Sequence, residues 1–280
     1  MGYANHIGDD TVACAWAKYL ERREDVEQVI IAGPRDHLPL GLDLAIHFHH
    51  DQELYRHAKN IYYLQNAWPR NPLWPNGTMG VFNDYKARFD GYIFASDGLR
   101  AASGEAGSVV PFAVDREIFY PHGADDRYSG RLVFVGNDIR GESADAKYLA
   151  PCLDKGLTIY GGPRNNPAYE AIRKGKLTDE ELPKVYSSAV NLNYSIPIAA
   201  EYGMMNMRVY EVAACKGQLL SDSMPDGFKN DGREGNPLPF VYPFSSLSPE
   251  TIEHNYREVL AKHTWEHRVE TLMQYLKEVL

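Results

Sequence analysis

Short apolar runs rich in β-branched and aromatic residues alternate with longer helical stretches along this whole chain. That alternation limits the fold to an α/β arrangement with parallel sheets. The first set of runs is Q-V-I-I-A at 28–32, L-D-L-A-I-H-F at 42–48, N-I-Y-Y-L at 60–64, G-Y-I-F-A at 91–95 and S-V-V-P at 108–111. The second lies at 131–135, 157–160, 189–192, 218–220 and 240–242. Between the two sets, P-H-G-A-D-D-R-Y-S-G at 121–130 is polar and breaker-rich, as a linker would be. Helices are expected at 11–23, capped by Asp9 or Asp10, at 178–187, at 206–215, and as a pair over 249–280 parted near Lys262-His263.

Two such halves would face a central cleft, and ligands of parallel sheets gather where strand C-terminal ends open into loops. Those loops are 2–10, 47–51, 65–68, 136–141, 161–166 and 195–206. A net charge of −9 opposes a partner held by phosphate-backbone electrostatics, so nucleic acid is not the expected partner. No apolar run approaches membrane-span length, and no basic-then-apolar leader opens the sequence, so the expected compartment is the cytoplasm. Cys14, Cys152 and Cys215 lie far apart without C-x-x-C spacing, which reads as reduced thiols.

The densest functional signal is N-M-R-V-Y-E at 206–211, opening a helix that a short apolar run follows. Asn206 suits a cap, Arg208 can fork onto phosphate oxygens, and Glu211 can accept from ribose hydroxyls. A helix start beside strand ends favours anions, so the trio fits a nucleoside diphosphate. The competing account is a solvated helix face on which Arg208 and Glu211 pair at i,i+3. Familiar alternatives are missing: the chain has no G-x-G-x-x-G, no G-x-x-x-x-G-K-[ST], no H-E-x-x-H, no G-x-S-x-G and no D-x-D. A second cluster, His47-Phe48-His49-His50-Asp51, closes a predicted strand. One of its imidazoles, or His6 in the opening loop, could bind or deprotonate an acceptor hydroxyl. A metal would need ligands that the sequence does not place. Trp68 and Trp74 sit in a Pro-rich loop and read as packing residues rather than as a stacking platform for sugars.

Taken in order, several segments resemble the CgeB-like (spore maturation protein) branch of the GT-B glycosyltransferases. They are V-V-P-F-A-V-D-R-E-I-F-Y-P (109–121), R-L-V-F-V-G-N (131–137), L-T-I-Y-G-G (157–162), E-L-P-K-V-Y-S-S-A-V-N-L-N-Y-S (181–195), N-M-R-V-Y-E-V-A-A-C-K-G (206–217) and H-T-W-E-H-R (263–268). The resemblance spans residues 109–280 and implies two Rossmann-like domains. These would be an acceptor domain at 1–121, a nucleotide-sugar domain at 122–262, and a last helix at 263–280 returning to the first domain. It implies a metal-independent transfer of sugar from a nucleoside-diphosphate sugar to a hydroxyl acceptor, with a retaining outcome and no further cofactor. The donor contacts it implies are Gly136, Asn137, Arg140, Tyr160, Gly161, Asn206, Arg208 and Glu211; the catalytic groups expected beside them, read from the residues, are Arg208, His47 and His6, with Lys174 or Arg140 assisting. Two departures stand out. Position 203, where retaining relatives often carry a second acid, is Gly, and the nearest acid is Glu201. No strand precedes Gly2-Tyr3, so the expectation is either that the first strand is lost or that the domain is trimmed. The alternative is a nucleotide-binding or coat-assembly protein of the same fold without turnover.

Overall fold

The computed structural model describes residues 8–33, 36, 40–72, 74–229, 231 and 247–280. The elements run α1 (Gly8–Leu20), β1 (Leu44–His47), β2 (Lys59–Leu64), α2 (Gly77–Tyr85), β3 (Gly91–Phe94), α3 (Asp97–Ser103) and β4 (Ser108–Val109). They continue with β5 (Leu132–Val135), α4 (Glu142–Tyr148), β6 (Thr158–Tyr160), α5 (Pro167–Ala171), α6 (Glu181–Ser188) and β7 (Val190–Asn193). Last come α7 (Pro197–Glu201), α8 (Met207–Ala214), β8 (Gln218–Ser221), α9 (Pro249–Lys262) and α10 (Trp265–Val279). The α/β class holds, with two four-stranded sheets in the orders β1-β2-β3-β4 and β6-β5-β7-β8. Every strand pair in both is parallel.

Two expectations from the sequence need correction. The run at 28–32 forms no strand, and Ile30 and Ile31 are exposed. A strand needs a partner to complete its hydrogen bonds, and among the described residues none pairs with this one. Helix α1 starts at Gly8, so Asp9 and Asp10 lie inside its first turn rather than capping it. The expected strand at 240–242 and the loop residue His6 lie outside the described residues.

The chain divides into two compact units. One draws its described residues from Ile7–Phe112, Ile198–Met204 and Trp265–Leu280. Its strands read as nearly continuous apolar runs because both sheet faces are covered; in β2, Asn60 through Leu64 are all buried. Trp16 of α1 packs on Tyr63, with ring centroids 4.7 Å apart. Helix α10 is pinned where the Tyr92 backbone N–H donates to Tyr275 Oη (2.9 Å) and Arg268 Nε donates to the Pro111 carbonyl (3.0 Å). The 198–204 segment joins this unit through Ser96 Oγ, which donates to the Tyr202 carbonyl (2.6 Å).

The other unit comprises the described residues of Ala113–Pro197 and Met205–Thr264. Its core stacks Leu132, Phe134, Ile159, Leu192 and Leu220 from the sheet against Tyr148, Leu149 and Cys152. The polar stretch at 121–130 is irregular in conformation. Its His122 and Asp125 N–H groups donate to the Ser187 and Ser188 hydroxyls at the end of α6, both at 3.0 Å. Caps end the helices as their sequences suggest: the side chains of Asn206 and Ser248 accept from the Arg208 and Thr251 N–H groups of α8 and α9. All three cysteines are free thiols.

Candidate functional site

In the second unit the C-terminal ends of β5, β6 and β7 converge on a cluster of arginines. Phe134 of β5 has three guanidinium carbons around its ring: Arg140 and Arg164 at 5.1 Å from the centroid and Arg208 at 5.3 Å. Arg140 also lies 5.1 Å from the Tyr194 ring, which stacks on Phe134 at 5.0 Å. Like charges crowd here, and the aromatic faces offset part of that repulsion. Burial lowers the Arg140 pKa to about 9, and Arg208 and Arg164 press in the same direction.

The three arginines are held differently. Arg164 is neutralised: its Nη1 lies 3.6 Å from carboxylate oxygens of both Asp138 and Asp145, while Nη2 donates to the Gly136 carbonyl (2.7 Å). Asp145 is buried and also accepts from Tyr194 Oη (2.5 Å). Arg140 donates Nε to the Tyr194 carbonyl (2.7 Å), and Arg208 donates Nη1 to Asn193 Oδ1 (3.1 Å). Among the described residues neither Arg140 nor Arg208 has a carboxylate within ion-pair distance, and Arg208 Nε is buried without a hydrogen-bond partner. Two guanidiniums with unused donors and uncompensated charge make a binding place for an anion of charge near −2.

The loops that frame them are tightly joined. Asn137 Oδ1 accepts from the Gly162 N–H (3.0 Å), and Asp138 Oδ2 from the Asn165 N–H (2.8 Å). Gly161 is required by the approach of the two turns. Its φ is +147°, and a Cβ there would stand 2.2 Å from the Gly136 carbonyl oxygen. A Cβ on Gly136 would meet Arg208 Nη2 at 3.1 Å and Arg140 Nη1 at 3.2 Å, so the glycine leaves room for both side chains.

Of the residues expected here, Gly136, Asn137, Arg140, Gly161, Asn206 and Arg208 come together. Asn206 spends its side-chain oxygen on the Arg208 N–H (3.0 Å), so that helix-start donor is already used. Glu211 lies one turn further along α8 and is buried. Burial pushes its carboxyl up to about 7, against the pull of Arg208 and Tyr186. The solvated i,i+3 pair does not form, since Val209 through Ala214 are all buried. Tyr160 stays apart from the arginines. It follows Ile159, which shares Phe134's face, so strand alternation turns its ring to the other side, 6.4 Å from Tyr128. Lys174 is exposed, and its backbone N–H donates to the Ile159 carbonyl. Arg164, Asn193, Tyr194 and Asp145 were missed. The available signal was a charged or amide side chain beside a strand's C-terminal end, at 193 and just past the 161–162 glycines.

The strand ends of the first unit look different. His47 is buried, with Nε2 2.9 Å from Asn60 Oδ1 and its ring 5.5 Å from Phe89. Asn60 in turn donates to the Tyr55 and Ala58 carbonyls and accepts from the Tyr55 N–H. Desolvation holds His47 below its ordinary pKa. The residue expected to handle an acceptor is thereby tied into the core of its own unit. His49 is exposed, and its N–H donates to Gln52 Oε1 (3.4 Å). His50 packs between Tyr85 (4.5 Å) and Trp68 (5.2 Å). The Trp68 backbone N–H donates to Thr78 Oγ1 of α2 (2.9 Å) and its ring meets His50 edge-on, so this loop tryptophan packs. Among the described residues no group of three or more His, Cys, Asp or Glu could hold a metal ion, and no helix is long and apolar enough to cross a membrane.

Residues 145–235, which carry Arg164, Asn193 and Arg208, match a family model described as "Glycosyl transferase-like". No curated protein sequence matches the chain. Among solved structures, the chain is similar to AviGT4, a glycosyltransferase involved in avilamycin A biosynthesis, with a TM-score of 0.62 at 14% identity. That likeness covers 98% of this chain and 90% of the other. It is also similar to the sucrose-phosphate synthase of Thermosynechococcus elongatus, with a TM-score of 0.52 at 14% identity, over 79% of this chain and 68% of that one. The α/β fold with parallel sheets is therefore one that glycosyltransferase structures share. The matched domain supports a glycosyltransferase enzyme, and the neighbours share its fold.

Proposed function

We propose that the Arg140–Arg208 cluster holds the diphosphate of a nucleoside-diphosphate sugar, and that the enzyme passes the sugar to a hydroxyl acceptor. The observation that carries this reading is the pair of guanidiniums left without carboxylate partners around Phe134, beside a third that faces two carboxylates. A diphosphate supplies the two negative charges and the oxygen array that such a pair accommodates. As the sugar bond breaks, charge grows on the departing diphosphate, and fixed guanidiniums stabilise it without reorganising. Glu211 lies one turn along α8 from Arg208 and would take the ribose hydroxyls. The acceptor would be held by residues of the unit carrying β1–β4. Transfer would proceed without an essential metal, a reading supported by the absence of a D-x-D pair. A retaining outcome and membership of the CgeB-like branch rest on the sequence resemblance.

Calorimetric titration with UDP, GDP, ADP and dTDP tests the donor reading. Saturable binding of one of them, with slow release of that nucleotide from its sugar conjugates in the presence of EDTA, is the expected result. Binding of none, or turnover only on adding Mg²⁺ or Mn²⁺, would overturn it.

A further inference from the structure

The two unpaired arginines are not loose: each is gripped by an oxygen that carries no net charge. For Arg140 it is the backbone carbonyl of Tyr194, and for Arg208 it is the side-chain amide of Asn193. Asn193 is the last residue of β7 and is wholly buried. A guanidinium has only donors, so the amide must present Oδ1 to it. The other end of the amide is fixed as well, because Nδ2 donates to Ser221 Oγ (2.9 Å) on the last residue of β8. Both ends of Asn193 are therefore committed, and the direction of its oxygen is set by the neighbouring strand. A carboxylate of the same shape would satisfy the same geometry, since the Ser221 hydroxyl can turn to donate. It would also neutralise Arg208, as Asp138 and Asp145 neutralise Arg164.

We propose that Asn193 is a positioning residue that aims the Arg208 guanidinium while leaving its positive charge available to the anionic ligand. The inference rests on the donor-site reading above. Its content is electrostatic: orientation without quenching. Two groups near Arg208 could compete for this role. Glu211 is on the same helix, but its raised pKa keeps much of it protonated at neutral pH. Tyr186, on α6, is held neutral far above physiological pH, chiefly by burial. Neither gives Arg208 a full counterion.

The test is a double-mutant cycle on Asn193→Asp and Arg208→Ala, with inorganic pyrophosphate and the four nucleoside diphosphates as calorimetric probes. Asn193→Asp is expected to weaken pyrophosphate binding roughly 10- to 100-fold in the parent background, the range of a charge-assisted contact. In the Arg208→Ala background the same change should alter binding by less than about 2-fold, because its target is gone. Affinity for the uncharged nucleoside should stay within about 2-fold of the parent, whereas a collapsed pocket would lose it too. If Asn193→Asp does not fold, Asn193→Ser removes the aimed oxygen without adding charge, and a smaller loss that again vanishes with Arg208→Ala is expected. Additive losses, or parental pyrophosphate affinity in Asn193→Asp, would overturn the assignment even where nucleotides bind. A coupled pyrophosphate cycle without nucleotide binding would sink the donor reading and sustain the Asn193 assignment. No binding of pyrophosphate or of any of the four nucleoside diphosphates by the parent would overturn both.

Discussion

Both sheets end in polar residues at the C-terminal edges of their strands, yet the two edges use them in opposite ways. At the end of β1, His47 meets Asn60, and Asn60 spends its amide on Tyr55 and Ala58. At the ends of β5 and β7, Arg140 and Arg208 have partners that orient them and donors still to spare. Polarity at a strand end is thus a poor guide to chemistry. What separates the edges is the balance of hydrogen-bond capacity and charge after the fold has taken its share.

That comparison can be broken in four places. The largest effect is expected within the arginine cluster. Replacing Arg164 by Leu leaves buried Asp145 without its cation and should cost about 3–5 kcal/mol of stability, measured by urea unfolding. Arg208→Leu breaks no ion pair, so a comparable loss there would erase the distinction between the braced and the available guanidinium.

Next comes Glu211. Burial holds its folded pKa near 7 against an ordinary 4.5, so the folded chain holds the proton more tightly and loses stability as pH rises from 4.5 to 7. Glu211→Gln removes that slope. Its stability relative to the parent should climb by about 3 kcal/mol across the window and level off above it. A difference that does not vary with pH would show that the carboxyl is not desolvated in this way.

Third, Arg208→Ala should cost about 1.5–3 kcal/mol of nucleoside-diphosphate affinity and depress turnover further, while unfolding changes little. The smallest effect belongs to the other edge. His47→Ala should cost about 1–2 kcal/mol of stability and leave nucleotide affinity and kcat at parental values. Burial keeps the His47 pKa low. Below the ordinary histidine value of 6.5 the unfolded chain takes up a proton that the folded chain resists, so the parent should lose stability as pH falls through that point and His47→Ala should lose less. A selective fall in kcat would return His47 to the acceptor side.

Much of this was legible in the sequence because it is local. Eight of the ten expected runs became strands, each short, apolar and bounded by turn residues. The N-M-R-V-Y-E start of α8 revealed its cap and its arginine because cap and helix lie within a few residues. What failed depends on partners distant in the chain. The 28–32 run has strand composition, but pairing is not a local property. The H-F-H-H-D cluster could not say that His47 would meet a residue thirteen positions on. Tyr160 was excluded by strand parity alone, once Phe134 fixed which face carries the arginines. Arg164 and Asn193 needed the sheet order β6-β5-β7-β8, which no motif encodes.

The contact between Gly161 and the Gly136 carbonyl has a consequence for how this protein can change over generations. The two turns meet backbone to backbone, so their separation is set by main-chain atoms that no exchange of side chains can move. A saturation library should therefore show position 161 as an almost empty column, rejecting even alanine, although glycine contributes no functional group. Position 139, by contrast, holds an exposed isoleucine in the turn after β5 and should accept nearly everything. Heritable variation in ligand preference has its room at the rim of the site, because the spacing beneath it is frozen.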